Sequence, residues 1–399
     1  MKISKKILAM SLAACMTVPF LAGCGSTSTG DSTSDAAGAD NSASAEGVFK
    51  IGGIGPITGG AAVYGLAVKN AAEMAVEEIN AAGGINGYQI EFKFEDDVHD
   101  AEKSVNAYNT LKDWGMQMLM GTVTSTPCQA VVEETHNDNM FQLTPSGSAV
   151  DCVANDNAFR ICFNDPNQGV ASAQYIAQNG LASKVAVIYD SSDVYSTGIY
   201  EKFTAEAANQ NIDVVAAEAF TSDSKTDFSV QIQKVQESGA ELLFLPIYYQ
   251  EAALILQQAS KAGLAVKYFG CDGLDGLIGK ISNKADAEGV MLLTPFAADA
   301  TDENVKKFVS AYKTAYNGET PDQFAADGYD AVFAIAAALK DAGITSENKD
   351  NLTSRLVASM LKISVDGVTG KMSWTADGET TKDAKAMVIK DGVAVLYTK

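Results

Sequence analysis

Histidine is nearly missing from this chain: His99 and His136 are the only two in 399 residues. Imidazole is the usual general base and a common metal ligand, and neither histidine sits beside an obvious nucleophile. There is no CxxC pair, so with two histidines a zinc site lacks a ligand set. The GxSxG of a nucleophile elbow and the Gly-Lys-Ser/Thr of a P-loop are absent too. The first glycine-rich stretch, Gly52 to Gly60, fails as a dinucleotide fingerprint, because Thr58 stands where the third glycine belongs and Pro56 interrupts the turn. Basic residues are scarce as well. Lys and Arg total 29 against 50 Asp and Glu, a net charge of −21. Such an acidic surface disfavours nucleic acid and anionic lipid as partners. These absences make an enzyme the minor reading, with no cofactor and no metal expected.

The N-terminus carries Lys2, Lys5 and Lys6, then an uncharged apolar stretch from Ile7 to Leu21. It is shorter than the roughly 20 residues of a membrane span and reads as a secretion signal. It closes on Leu21-Ala22-Gly23-Cys24, which resembles the lipobox of bacterial lipoproteins. That resemblance implies a signal over 1–23, cleavage before Cys24 and lipid on its thiol. The protein would then be anchored to the outer face of the cell membrane. The stretch 24–47, rich in Gly, Ser, Thr, Ala and Asp, has no means of building a core and is expected to be a solvated tether. Beyond Cys15 and Cys24 lie Cys128, Cys152, Cys162 and Cys271. An extracytoplasmic setting permits disulfides, and one pair among Cys128, Cys152 and Cys162 is a reasonable expectation; spacing does not choose the partners.

From Val48 onward, about 350 residues leave room for two lobes with ample core. Short apolar runs alternate with amphipathic stretches. Strands are expected at 49–54, 88–94, 116–120, 184–189, 212–216, 241–245 and 288–293. Helices are expected at 64–81, 101–114, 197–210, 228–238, 251–262, 303–317 and 324–342. Strands that are apolar throughout, set between helices, indicate an α/β fold of parallel sheets covered on both faces. The segments 368–374 and 386–397 alternate in period two beside Asp377-Gly378 and Asp391-Gly392, and read as a small antiparallel addition.

Ligands of parallel sheets sit beyond the carboxyl ends of the strands. The loops there are Gly121 to Pro127 and Thr144 to Ser148, both rich in hydroxyls and leading toward helix starts, which suits a carboxylate. The cluster Asp96, Asp97, His99 and Asp100 is expected to cap the helix beginning at Ala101 rather than to hold a metal. Asp272, Gly273, Asp275 and Gly276 lack the ligand ladder of a calcium loop.

Five segments carry a family resemblance, in order: Gly55-Pro56-Ile57-Thr58-Gly59 with Tyr64-Gly65; Ile79 to Ile85; Thr144-Pro145-Ser146; Phe159-Arg160; and Gly328-Tyr329-Asp330-Ala331. Together they resemble the branched-chain amino acid (Leu/Ile/Val)-binding proteins of ABC importers. The resemblance implies two Rossmann-like lobes joined by three hinge crossovers, at 48–167 plus 293–382 and at 168–292 plus 383–399. It implies a monomeric receptor that closes on a small amino acid and delivers it to the membrane subunits of an ABC permease. By position, it assigns Ser125, Ser146 and Ser148 to the α-carboxylate and part of the ammonium, and Asp272 to the ammonium from the other lobe. Tyr64, Tyr195, Tyr248 and Phe324 would line the side-chain pocket. Asp272 stands where leucine binders typically carry glutamate. A ligand such as urea, a short amide or an aromatic acid stays open within the same fold; a surface hydrolase or a structural lipoprotein stays open outside it.

Overall fold

The computed structural model describes residues 47–398, apart from 346, 347 and 349. The expected signal, Cys24 and all of the tether but Gly47 lie outside the described residues. Two parallel sheets organise the rest. The first is built from β1 (Val48–Gly55), α1 (Ala62–Ala81), β2 (Gln89–Asp96), α2 (Ala101–Trp114), β3 (Met118–Gly121), α3 (Ser125–Asn137), β4 (Phe141–Thr144) and β5 (Ala158–Arg160). Its strand order is β2-β1-β3-β4-β5, parallel throughout. The second lobe adds α4 (Asp165–Gln178), β6 (Lys184–Asp190), α5 (Val194–Asn209), β7 (Asp213–Phe220), α6 (Ser229–Ser238), β8 (Leu242–Leu245), α7 (Tyr249–Ala262), β9 (Lys267–Gly270), α8 (Leu277–Lys280) and β10 (Met291–Thr294). The chain then returns through α9 (Glu303–Ala315), α10 (Gln323–Asp341), α11 (Leu352–Met360) and the hairpin β11 (Val365–Gly367) and β12 (Gly370–Met372), before β13 (Lys385–Lys390) and β14 (Val393–Leu396).

The apolar runs follow from position in the sheet. β3, β4 and β8 are central, and every residue in them is buried, since helices cover both faces. β2 lies at an edge, keeps one exposed and several half-buried positions, and alternates accordingly. Helix pairing depends on two glycines. A Cβ at Gly328 of α10 would lie 2.7 Å from the Val68 carbonyl oxygen of α1. One at Gly169 of α4 would lie 2.6 Å from the Ile199 carbonyl of α5. Both helix pairs touch backbone to backbone.

The structure departs from the sequence expectations in several places; β5 and α11 were not anticipated, and β7 runs on to Phe220. α5 begins at Val194, not Thr197, because Asp193 caps it by accepting from the Ser196 amide at 3.1 Å. α4 was not anticipated, although Asn164 caps it and Pro166 occupies its first turn. The C-terminal alternation splits: β13 and β14 turn at Asp391 (φ 52°) and Gly392 (φ 73°) and extend the second sheet antiparallel to β10, whereas β11 and β12 pair only with each other. The cysteines form no disulfide: Cys128, Cys152, Cys162 and Cys271 are all buried free thiols. The Cys128 and Cys152 thiols lie within hydrogen-bonding reach of each other, and they also meet the Cys152 and Ser125 carbonyls at 3.9 and 3.7 Å, so this pair is adjacent but unbridged. Of the acidic cluster, Asp100 does cap α2, accepting from the Lys103 amide at 2.9 Å. Asp96 instead ties down the β1–α1 loop through the Ile57 amide and the Thr58 hydroxyl, at 2.9 and 2.5 Å.

Candidate functional site

Tyr64, in the first turn of α1, is fully buried. Its hydroxyl donates to the Gly273 carbonyl at 2.6 Å and accepts from the Tyr249 amide at 3.0 Å, both from the second lobe. One phenol thus stitches the lobes together. Around it the rings converge: Tyr248 and Phe324 lie 5.6 and 4.2 Å from Tyr64 between centroids, and Tyr195 stacks on Tyr248 at 4.8 Å. These four aromatics, expected from the sequence, form one continuous wall. His99 meets the same wall edge-on, 5.4 Å from Tyr248, with Nδ1 2.8 Å from the Thr124 hydroxyl and Nε2 3.7 Å from Asp193. Burial, aided by the Lys225 charge, lowers its pKa to about 4, so the imidazole is neutral near pH 7.

The three serines belong to the first lobe. Ser125 opens α3, and its hydroxyl oxygen accepts from the amides of Ser148 and Ala149, each at 3.2 Å. Its own proton is left to donate. Ser146 donates to the Val123 carbonyl at 2.6 Å. Arg160 shapes their loop from below. It is wholly buried, and its guanidinium donates to the carbonyls of Gly147, Ser148, Ala149 and Val150 at 2.7–3.2 Å while Nε lies 3.2 Å from Glu379. Arg160 thereby fixes the loop from Gly147 to Val150, and within it the Ser125 hydroxyl is the donor left free to meet a carboxylate.

Asp272, from the second lobe, is buried among donors. Its Oδ1 accepts from the Tyr195 hydroxyl at 2.8 Å; its Oδ2 accepts from Gln168 at 2.9 Å and from Gln323 at 3.3 Å. Burial raises its pKa to about 6 against the pull of those bonds. Tyr64, Tyr195, Tyr248, Phe324 and Asp272 thus converge where the lobes meet, and Ser125, Ser146 and Ser148 lie on the loops after β3 and β4 of the first lobe. Sequence reasoning missed His99, Asp165, Gln168, Asp193 and Gln323. Asn164 and Pro166 mark a helix start beside Asp165, a signal that was available; nothing in the sequence pointed Gln323 across the cleft.

A two-lobed α/β protein with a polar and aromatic cleft at the hinge has the architecture of a solute receptor. The profile of the family described as "Periplasmic binding protein" matches residues 48–393, and the chain belongs to that family, within its branched-chain amino acid-binding group. It is 32% identical over 300 residues to "Leu/Ile/Val-binding protein homolog 3" of Brucella melitensis, covering 75% of this chain and 80% of that one. It superposes with a TM-score of 0.80 on the branched-chain amino acid transporter substrate binding protein LivJ of Streptococcus pneumoniae in complex with isoleucine, at 28% identity, covering 88% of this chain and 100% of that one. A solute binding protein of an ABC transporter from R. palustris in complex with benzoate shares the fold, with a TM-score of 0.79 at 20% identity over 88% of this chain and 95% of that one.

Proposed function

We propose that this protein is the extracytoplasmic receptor of an ABC importer, capturing a small amino acid between its lobes and presenting the closed form to the permease. The observation that carries this reading is the interlobe cleft itself. Ser125 and Ser148 supply a carboxylate cradle from one lobe, acidic side chains stand on the other side, and Tyr64 bonds across the opening. A zwitterion needs donors at one end and a carboxylate at the other, and aromatic walls then select an apolar side chain. An aliphatic residue of the leucine, isoleucine or valine type fits that wall. In this reading the protein performs no chemistry, works as a monomer and is held to the membrane by lipid on Cys24. Ligand contacts with both lobes stabilise the closed state over the open one.

Thermal unfolding of the purified protein with each standard amino acid, urea, short amides and benzoates tests the reading. Binding to the folded state alone raises stability by about 2.7 kcal/mol at a hundredfold excess over Kd. Stabilisation by leucine, isoleucine or valine is expected. Stabilisation by benzoates alone reassigns the pocket. A protein stabilised by none of them is not a receptor for these compounds.

A further inference from the structure

We propose that the protein carries a second ligand site at its hinge, separate from the cleft, which takes a small organic ammonium ion with an apolar body. The site stands apart from the amino acid reading above; only its coupling to the cleft rests on that reading.

The site is a cavity of about 560 Å³, within the range of small-molecule pockets. It lies where elements of both lobes meet the crossover from β10 to α9. Its floor is the face of β13 that carries Met387 and Ile389, both buried, since alternate residues of a strand share a face. Val63 and Leu66 of α1 reach it from the first lobe, and Ile278 of α8 and Val393 of β14 from the second. Leu66 is 43% exposed and Val393 is 52% exposed. A single exposed leucine or valine needs no explanation, but two such side chains on the wall of one apolar cavity mark a binding surface.

The cavity is also acidic. Asp275, Asp322 and Glu319 line it, and no Lys, Arg or His does. Asp275 accepts from the Gly276 amide at 3.1 Å and from the Gln323 amide at 2.8 Å. The second bond sets Asp275 beside Asp322, the residue before Gln323. Asp322 caps α10, accepting from the Ala325 amide at 2.9 Å. Burial, with the Asp275 charge beside it, holds the Asp322 carboxyl well above its ordinary value. Two adjacent carboxylates repel, and a cation relieves them. Calcium or magnesium would take oxygen ligands and leave the apolar wall bare. A neutral ring would cover the wall and leave the acids facing each other. An ammonium on an aryl or alkyl body meets both, with positive charge and up to three N–H donors at one end.

Gln323 joins this site to the cleft. Its amide donates to Asp275 while its side chain donates to Asp272 at 3.3 Å. The cavity takes its walls from both lobes as they stand closed, so an occupant favours the closed arrangement. A cleft ligand should in return tighten the amine, because coupling between two sites is reciprocal.

The test titrates 2-phenylethylamine calorimetrically, with 2-phenylethanol and phenylacetate as ligands of similar shape and different charge. The amine should bind the wild type about tenfold more tightly than the alcohol, and as tightly or more so in excess leucine. Asp322→Asn keeps the helix cap, since asparagine serves there as well as aspartate. Its amine affinity should fall about tenfold while the alcohol's is unchanged. Val393→Lys, a change at an exposed position, sets a protein cation against the site and should weaken the amine as well. No amine binding, equal affinity for amine and alcohol, displacement of the amine by leucine, or undiminished amine binding in Asp322→Asn each overturns the proposal. A wild type that takes the amine and no leucine, with the amine lost in Asp322→Asn, upholds this site and counts against the leucine reading of the cleft alone.

Discussion

Arg160 is the side chain on which the serine cradle rests. Its two terminal nitrogens satisfy four consecutive carbonyls from Gly147 to Val150, and its own carbonyl accepts from the Trp374 indole at 2.8 Å. Methionine has a similar length and no donors. Arg160→Met should therefore destabilise the fold by about 3 kcal/mol or more, since buried acceptors lose their partners and Glu379 loses its cation. Urea unfolding measures that loss, and calorimetry should show weaker ligand binding as the loop relaxes. Phe159-Arg160 stands out in the sequence as a family marker, but its role does not: its hydrogen bonds go to backbone carbonyls, and its one charged partner, Glu379, lies far along the chain. The loops of Ser125, Ser146 and Ser148 were legible because hydroxyls cluster after two apolar strands, and the family resemblance picked out the individual serines. Asp165 was not, because its neighbour, the Ser148 hydroxyl, is brought to it only by the fold.

Helix pairing is decided at a few small positions. Gly328 allows α10 to cross α1 with the Val68 backbone in contact. Gly328→Ala places a methyl 2.7 Å from a carbonyl oxygen, a distance that side-chain rotation does not relieve. The helices must separate, at a cost of about 1–3 kcal/mol in unfolding free energy and with a lower melting temperature. The α1 N-terminus carries Tyr64, so the same change should also weaken closure. Helix α2 matches its expected range from Ala101 to Trp114, since a capping aspartate begins it and Gly115, at φ 89°, ends it. α5 starts one turn before its expected Thr197, because Asp193 caps it at Val194.

The closed molecule gathers acidic groups into its interior. Burial raises Asp193 and Asp272 to about 6, Asp97 to about 7 and Asp322 to about 8, each above its ordinary value of 3.8. An acid with a raised pKa holds its proton more tightly folded than unfolded. Its contribution to stability is present at low pH and is lost as pH rises through the folded value. The ligand-free protein should therefore melt at a higher temperature near pH 5 than near pH 8. Below about 4 the trend should reverse, as Asp96 and Asp138, whose pKa values are lowered by their hydrogen bonds, begin to take up protons. Calorimetric scans across that interval check the sign; a melting temperature that falls steadily from pH 8 to 5 contradicts it.

Local periodicity was enough to read the alternation of strands and helices, the parallel sheets and the hydroxyl-rich loops after the strands, while chain length and the family resemblance implied the two lobes. The periodic features depend on near neighbours or on burial of both sheet faces, and both leave marks along the chain. The joining of β13 and β14 to the second sheet depended on the whole fold, because a hairpin's local pattern is the same wherever it docks. So did the pairing off of Cys128 with Cys152 as neighbouring buried thiols, which residues 24 apart in sequence do not announce. The setting of Asp272 depended on it most, because only the convergence of Tyr195, Gln168 and Gln323, from three helices far apart in sequence, surrounds its buried carboxylate with donors.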